Sequence, residues 1–132
     1  MADRIEPEEI PDPDLLLCRV HWTQFNFEEN RITSTVFKQQ NQSVDWSKYS
    51  TPEQTVARHK APSLIWGIAM ITAGACRSLN QEVVHVPLAE GDADGPNLAH
   101  AEIRGNKTTL IKSQLRDAIT SKWENPLFRG PN

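Results

Sequence analysis

The chain predicts an α+β fold with a mostly antiparallel or mixed sheet, a C-terminal amphipathic helix and one or two short helices. Three observations lead there. Apolar and polar residues alternate over 18–22 and 98–104, a capped helix start stands at Thr51-Pro52, and apolar residues recur at three- and four-residue spacing from Thr108.

In chain order, Leu15 to Trp22 reads as a strand, because Cys18, Val20 and Trp22 alternate with Arg19 and His21. A polar link follows, and the β-formers of Ile32 to Phe37 predict a second strand joined by a long hairpin. Ser43 to Trp46 is a short extended piece. Thr51 as N-cap, Pro52 at the first helical position and Gln54 three residues after the cap predict a helix from Pro52 to about His59, which Pro62 terminates. Ser63 to Thr72 lacks a helical polar face and predicts a buried strand, followed by a short helix from Thr72 to Leu79. Glu82 to Leu88 is a further strand, ended or held at an edge by Pro87, and Glu90 to Asn97 is a loop by composition. Leu98 to Arg104 alternates as a last strand. Ile111, Leu115, Ala118 and Ile119 then place an apolar stripe on a helix from Thr108 to about Trp123.

A chain of 132 residues predicts one domain, assigned to 14–124, between a flexible acidic arm at 1–13 and a flexible tail at 125–132, where prolines and charges leave little to bury. The net charge is −3, from 14 Lys and Arg against 17 Asp and Glu, which gives no strong nucleic-acid signal. Six of the carboxylates fall within the first fourteen residues against Arg4 alone, so the remainder is slightly basic, about +2, and acidity does not exclude a small anionic ligand. The longest apolar run, Leu64 to Ala73, is far short of the roughly 20 residues that span a bilayer, and an acidic start is no secretory leader. The expectation is a cytoplasmic protein with no membrane partner. Cys18 and Cys76, with no CxxC neighbour, read as ordinary thiols.

Glu90, Asp92, Asp94 and Gly95 imitate the opening of a calcium loop, but position twelve is Ala101 where a bidentate acid is required. A solvated turn is the reading, and neither metal nor cofactor is expected. Pairing 82–88 with 98–104 places His85, His100, Glu102 and Arg104 on one polar face, to which the first strand adds Arg19 and His21. Imidazoles, guanidiniums and a carboxylate together suit acid/base work or an anion. Trp22 and Trp46, beside polar neighbours, are candidate anchors for a partner, with core packing the default. Arg58-His59-Lys60 is explained by the negative end of the preceding helix dipole.

Arg19 or His21 on the first strand, Ser34 with Thr35 on the second and Glu102 on a later one resemble the residue set of ADP-ribosyltransferases. The resemblance implies that Arg19 or His21 and Ser34 orient a nicotinamide dinucleotide and that Glu102 stabilises an oxocarbenium-like centre. Thr33 to Phe37, Gln42 to Asp45, Ser50 to Glu53 and Asn97 to Gly105, in that order, resemble a pattern recurring in small prokaryotic hypothetical proteins, a family that brings no established activity. That likeness implies a compact one-domain protein and draws attention to Ser34, Asp45, Asn97 and His100. Two functions follow. The first is a binding or accessory module engaging a protein or ligand partner through His85, Arg104, Trp22, Trp46, Asp45 and Asn97. The alternative is a small enzyme acting on a nucleotide or phosphorylated substrate through His100, Glu102, Arg19, His21 and Ser34.

Overall fold

Strand β1 (Leu15–His21) opens on three leucines, of which Leu16 and Leu17 are both buried. Adjacent strand residues point to opposite faces, so this segment must be covered on both sides, and only a central strand is. The computed structural model, which describes residues 6–38, 40–89 and 96–130, places it there. The remaining elements are β2 (Phe25–Asn26), β3 (Arg31–Ile32), β4 (Asn41–Trp46), α1 (Pro52–Ala57), β5 (Ile65–Thr72), α2 (Ala73–Ser78), β6 (Glu82–His85), β7 (His100–Arg104), α3 (Thr109–Asp117) and β8 (Ser121–Glu124). Six strands form one antiparallel sheet in the order β6-β7-β4-β1-β5-β8, and β2 and β3 form a separate hairpin. Together with the three helices this is the α+β architecture the sequence predicts. No helix among the described residues is long and apolar enough to cross a membrane.

One sheet face is dry. Leu16, Cys18, Val20, Val44, Trp46, Trp66, Ala69, Ile71, Val83, Ala101 and Ile103 join Ala73 and Cys76 of α2 and Leu115 of α3 in one core. Residues 6–13, within the span assigned to the arm, take part in packing: Ile10 is 1% exposed in this core and Asp12 pairs with Arg77. On the other face Val56 of α1 meets Leu17, Ile65 and Ile68, with Met70 and Trp123 at the margin. Helix α1 begins where the capping pattern places it. Thr51 Oγ1 accepts from the Gln54 N–H, and Gln54 Oε1 accepts from the Thr51 N–H.

Two expected elements take other forms, and one residue lies on another face. Ile32 to Phe37 is not a strand partnering β1: after β3 the chain turns into a 3-10 helix at Ser34–Phe37. Val36 and Phe37 are neighbours and both buried, which a strand's alternation forbids and a helical turn permits. The C-terminal helix ends at Asp117 instead of near Trp123, and 121–124 pairs along β5. An unpaired edge of β5 would leave a row of backbone groups unsatisfied, and this segment closes it. Gly67 permits the approach, since a Cβ there would stand 2.1 Å from the Trp123 carbonyl oxygen. Finally, His85 does not share a face with His100. The register pairs Val83 with Ile103 and His85 with Ala101, so His85 lies on the dry face.

Candidate functional site

Three neighbouring strands of the sheet converge on the polar part of the second face. Strand β1 presents Arg19, β4 presents Ser43 and Asp45, and β7 presents His100, opposite Asp45 in the β4–β7 register. Helix α1 and the residues after it roof this surface and contribute Thr55, Arg58, His59 and Lys60, while Leu88 and Asn97 close one end. The result is a cavity of about 540 Å³. That falls within the roughly 300–1,000 Å³ typical of small-molecule sites.

Asp45 organises the floor. It is 4% exposed, and its carboxylate accepts from Thr55 Oγ1 at 2.8 Å, Arg58 Nη1 at 2.7 Å and Asn97 Nδ2 at 2.9 Å. A buried carboxylate needs such donors to stay charged. Arg58 Nη1 also donates to Ser50 Oγ, and Asn97 Oδ1 accepts from the Ala99 N–H, so the β6–β7 connection is tied to the floor by one side chain.

The wall is cationic. Arg19 Nε donates to the Thr55 carbonyl at 2.8 Å. Burial lowers Arg19 from its usual pKa, Asp45 opposes the shift and Arg58 reinforces it. A guanidinium nonetheless remains charged at neutral pH. His59 is held below the ordinary imidazole range by burial and by Arg19, and its Nδ1 accepts from the Ala61 N–H. Arg19, Arg58 and Lys60 thus face a single carboxylate among the described residues lining the cavity, and that carboxylate already has three donors. Among the described residues neither Arg19 nor Lys60 forms an ion pair.

His100 stands at the mouth. Its Nδ1 lies 2.9 Å from the Val86 carbonyl oxygen and its Nε2 3.3 Å from Ser43 Oγ. A carbonyl only accepts, so the ring proton sits on Nδ1. Glu102 and Arg104, further along β7 on the same face, pair with each other at 2.8 Å and do not line the cavity.

The cavity therefore unites Arg19, Asp45, Asn97 and His100 of the residues singled out in the sequence. The others lie elsewhere. His21 caps the 3-10 turn Trp22–Gln24, with its Nδ1 turned to Thr23, and the Trp22 ring stands 5.8 Å from the His21 ring. Ser34 belongs to the 3-10 helix whose Val36 and Phe37 enter the dry core, on the opposite side of the sheet from Arg19. The ADP-ribosyltransferase-like set does not converge for that reason. His85 is a satisfied interior histidine: Nδ1 accepts from the Glu8 N–H, Nε2 meets the Leu98 carbonyl, and its ring stacks on Tyr49 and meets Trp46 edge-on. Trp46 is 1% exposed and donates from Nε1 to Asp14, so it projects no anchor. Burial pushes both thiols up, Cys76 to about 12, which leaves neither a nucleophile. The acidic loop at 90–95 lies outside the described residues.

The sequence singled out neither Ser43 nor Thr55, and it gave Arg58, His59 and Lys60 together to the helix dipole. The available signal was the basic triplet 58–60 directly after a well-capped helix. No family model, no curated protein and no solved structure matches this chain. The geometry of the cavity is thus what a functional reading rests on.

Proposed function

We propose that the chain is a small-ligand binding module whose cavity takes a phosphate-bearing anion. One observation carries the reading: Arg19, Arg58 and Lys60 line the cavity against a single carboxylate, Asp45, which pairs with Arg58, so Arg19 and Lys60 leave an excess of positive charge. In a partly enclosed site their field is less screened than at an open surface. Arginine suits a phosphate because its planar fork donates to two oxygens at once, and Lys60 adds a point charge. The Ser43 hydroxyl supplies a neutral donor to a third oxygen. Of the two kinds of partner expected, the ligand is the one supported, because Trp46 is buried and Arg104 is occupied by Glu102.

The test is a titration of the isotopically labelled full chain with inorganic phosphate at neutral pH, followed by NMR. Amides of Ser43, Asp45, Asn97 and His100 are expected to shift together along one saturable isotherm. Arg19→Ala and Lys60→Ala should each weaken binding about tenfold or more, the loss of a charge-assisted hydrogen bond. Shifts scattered over the surface, or an affinity unchanged from the unsubstituted chain in both variants, would overturn the proposal. A parallel acetate titration separates a phosphate site from a general carboxylate site.

A further inference from the structure

We propose that Ser43 and His100 form a nucleophile–base pair, so that the cavity cleaves phosphoesters as well as holding them. This rests on the anion-binding reading above and adds chemistry to it. The Val86 carbonyl at 2.9 Å fixes the ring proton on His100 Nδ1, and the neutral ring then presents the Nε2 lone pair to Ser43 Oγ at 3.3 Å. A hydroxyl, an adjacent base in the correct tautomer and a third group that orients the base are what a serine nucleophile requires. Here the orienting group is a backbone carbonyl. Asp45, across the strand pair from His100, is committed to Thr55, Arg58 and Asn97.

His59 lines the same cavity in the opposite state. Its Nδ1 accepts from the Ala61 N–H, so the neutral ring carries its proton on Nε2 and is a donor. One imidazole thus accepts and the other donates, with the difference imposed by backbone partners. Arg19, Arg58 and Lys60 are the charged groups positioned to stabilise negative charge on the phosphoryl oxygens.

The step balances as follows. Ser43 Oγ forms a bond to phosphorus while its proton passes to His100 Nε2. The ester P–O bond breaks, and the departing oxygen takes that proton. Water then attacks the phosphoserine, giving a proton to Nε2 that is returned to Ser43 Oγ as phosphate leaves. The sum is ester plus water giving alcohol plus phosphate.

The experiment treats the full chain with diisopropyl fluorophosphate, which reads an activated serine whatever the natural ester. Fluoride leaves as phosphorus bonds to Ser43 Oγ, and the serine proton goes to His100. One adduct, mapped to Ser43 by peptide mass spectrometry, is expected. Its rate should fall when inorganic phosphate is present. His100→Ala should slow it about 100-fold or more, the lower end of what a general base contributes. His100→Gln serves as a second variant, and circular dichroism shows that each remains folded. An adduct elsewhere, no adduct, or an unchanged rate in a folded His100 variant would overturn the pair. If phosphate still shifts the cavity amides when Ser43 does not label, the binding reading stands alone. If Ser43 labels but phosphate neither shifts them nor slows labelling, the anion reading falls instead.

Discussion

Leu16, Cys18 and Val20 lie on one face of β1 and are fully buried, whereas Leu17 and Arg19, between them in the chain, run from a small apolar cluster into a polar cavity. The dry face is covered from end to end by α2, α3, the 3-10 helix at 34–37 and Ile10. The other face has one short helix, α1, which covers β1 and β5 but leaves β4 and β7 to form a floor. Incomplete cover is what makes the cavity: the sheet continues past the edge of its roof, and polar residues occupy the space between. Stability is therefore expected to depend mostly on the first face and ligand chemistry on the second.

The largest expected effect tests the dry face. Trp46→Ala removes a side chain that is 1% exposed and strands Asp14 without its donor. A loss of about 3–5 kcal/mol is expected in denaturant unfolding. A loss below about 1 kcal/mol would show that the dry face does not dominate. Asp45→Ala sharpens the comparison from the polar side, because Arg58, Thr55 and Asn97 lose one acceptor together. Removing one partner of a buried pair costs about 3 kcal/mol, discounted here because Arg58 retains access to water. About 2 kcal/mol is therefore expected, together with collapse of phosphate binding in calorimetry. Thr51→Ala removes the cap of α1 and should cost about 1 kcal/mol, measured as a lower melting temperature. Because α1 roofs the cavity, phosphate affinity should fall with it.

The smallest effect is a pH dependence. His59 has a lower pKa folded than its ordinary value of 6.5, so below that value the unfolded chain binds more protons. Stability from this group is complete above pH 6.5 and is lost as pH falls through the lower folded value. In His59→Asn the decline of melting temperature between neutral and mildly acidic pH should be shallower. An identical profile would show that another group sets the dependence.

Much of the fold was legible locally. The capping box at Thr51, the alternation from Cys18 to His21 and the closely apolar run at 65–72 each report a neighbourhood of a few residues, and those elements stand where expected. The failures share a cause. Val36 and Phe37 have strong β-propensity but turn helically to bury both side chains, and Ser121 to Glu124 leaves the helical pattern because β5 offers an unpaired edge. His85 reads as polar and outward, yet the aromatic rings of Trp46 and Tyr49 and two backbone groups satisfy it inside.

The same division runs through the site. Arg19 and His100 were visible as polar members of alternating strands, and Asp45 and Asn97 through the likeness to small prokaryotic hypothetical proteins. Lys60 was visible only within a basic triplet that the helix dipole explains, and Ser43 was not visible, since neither residue type nor spacing distinguishes it from solvated surface. The sequence by itself determined most of the elements, the cap of α1 and the slightly basic charge outside the first fourteen residues, because those depend on local backbone preference and composition. Strand order and register were decided only in the tertiary structure. They bring β1, β4 and β7 together beneath a helix too short to cover them, and a one-residue change of register moves a whole strand's side chains from one face to the other.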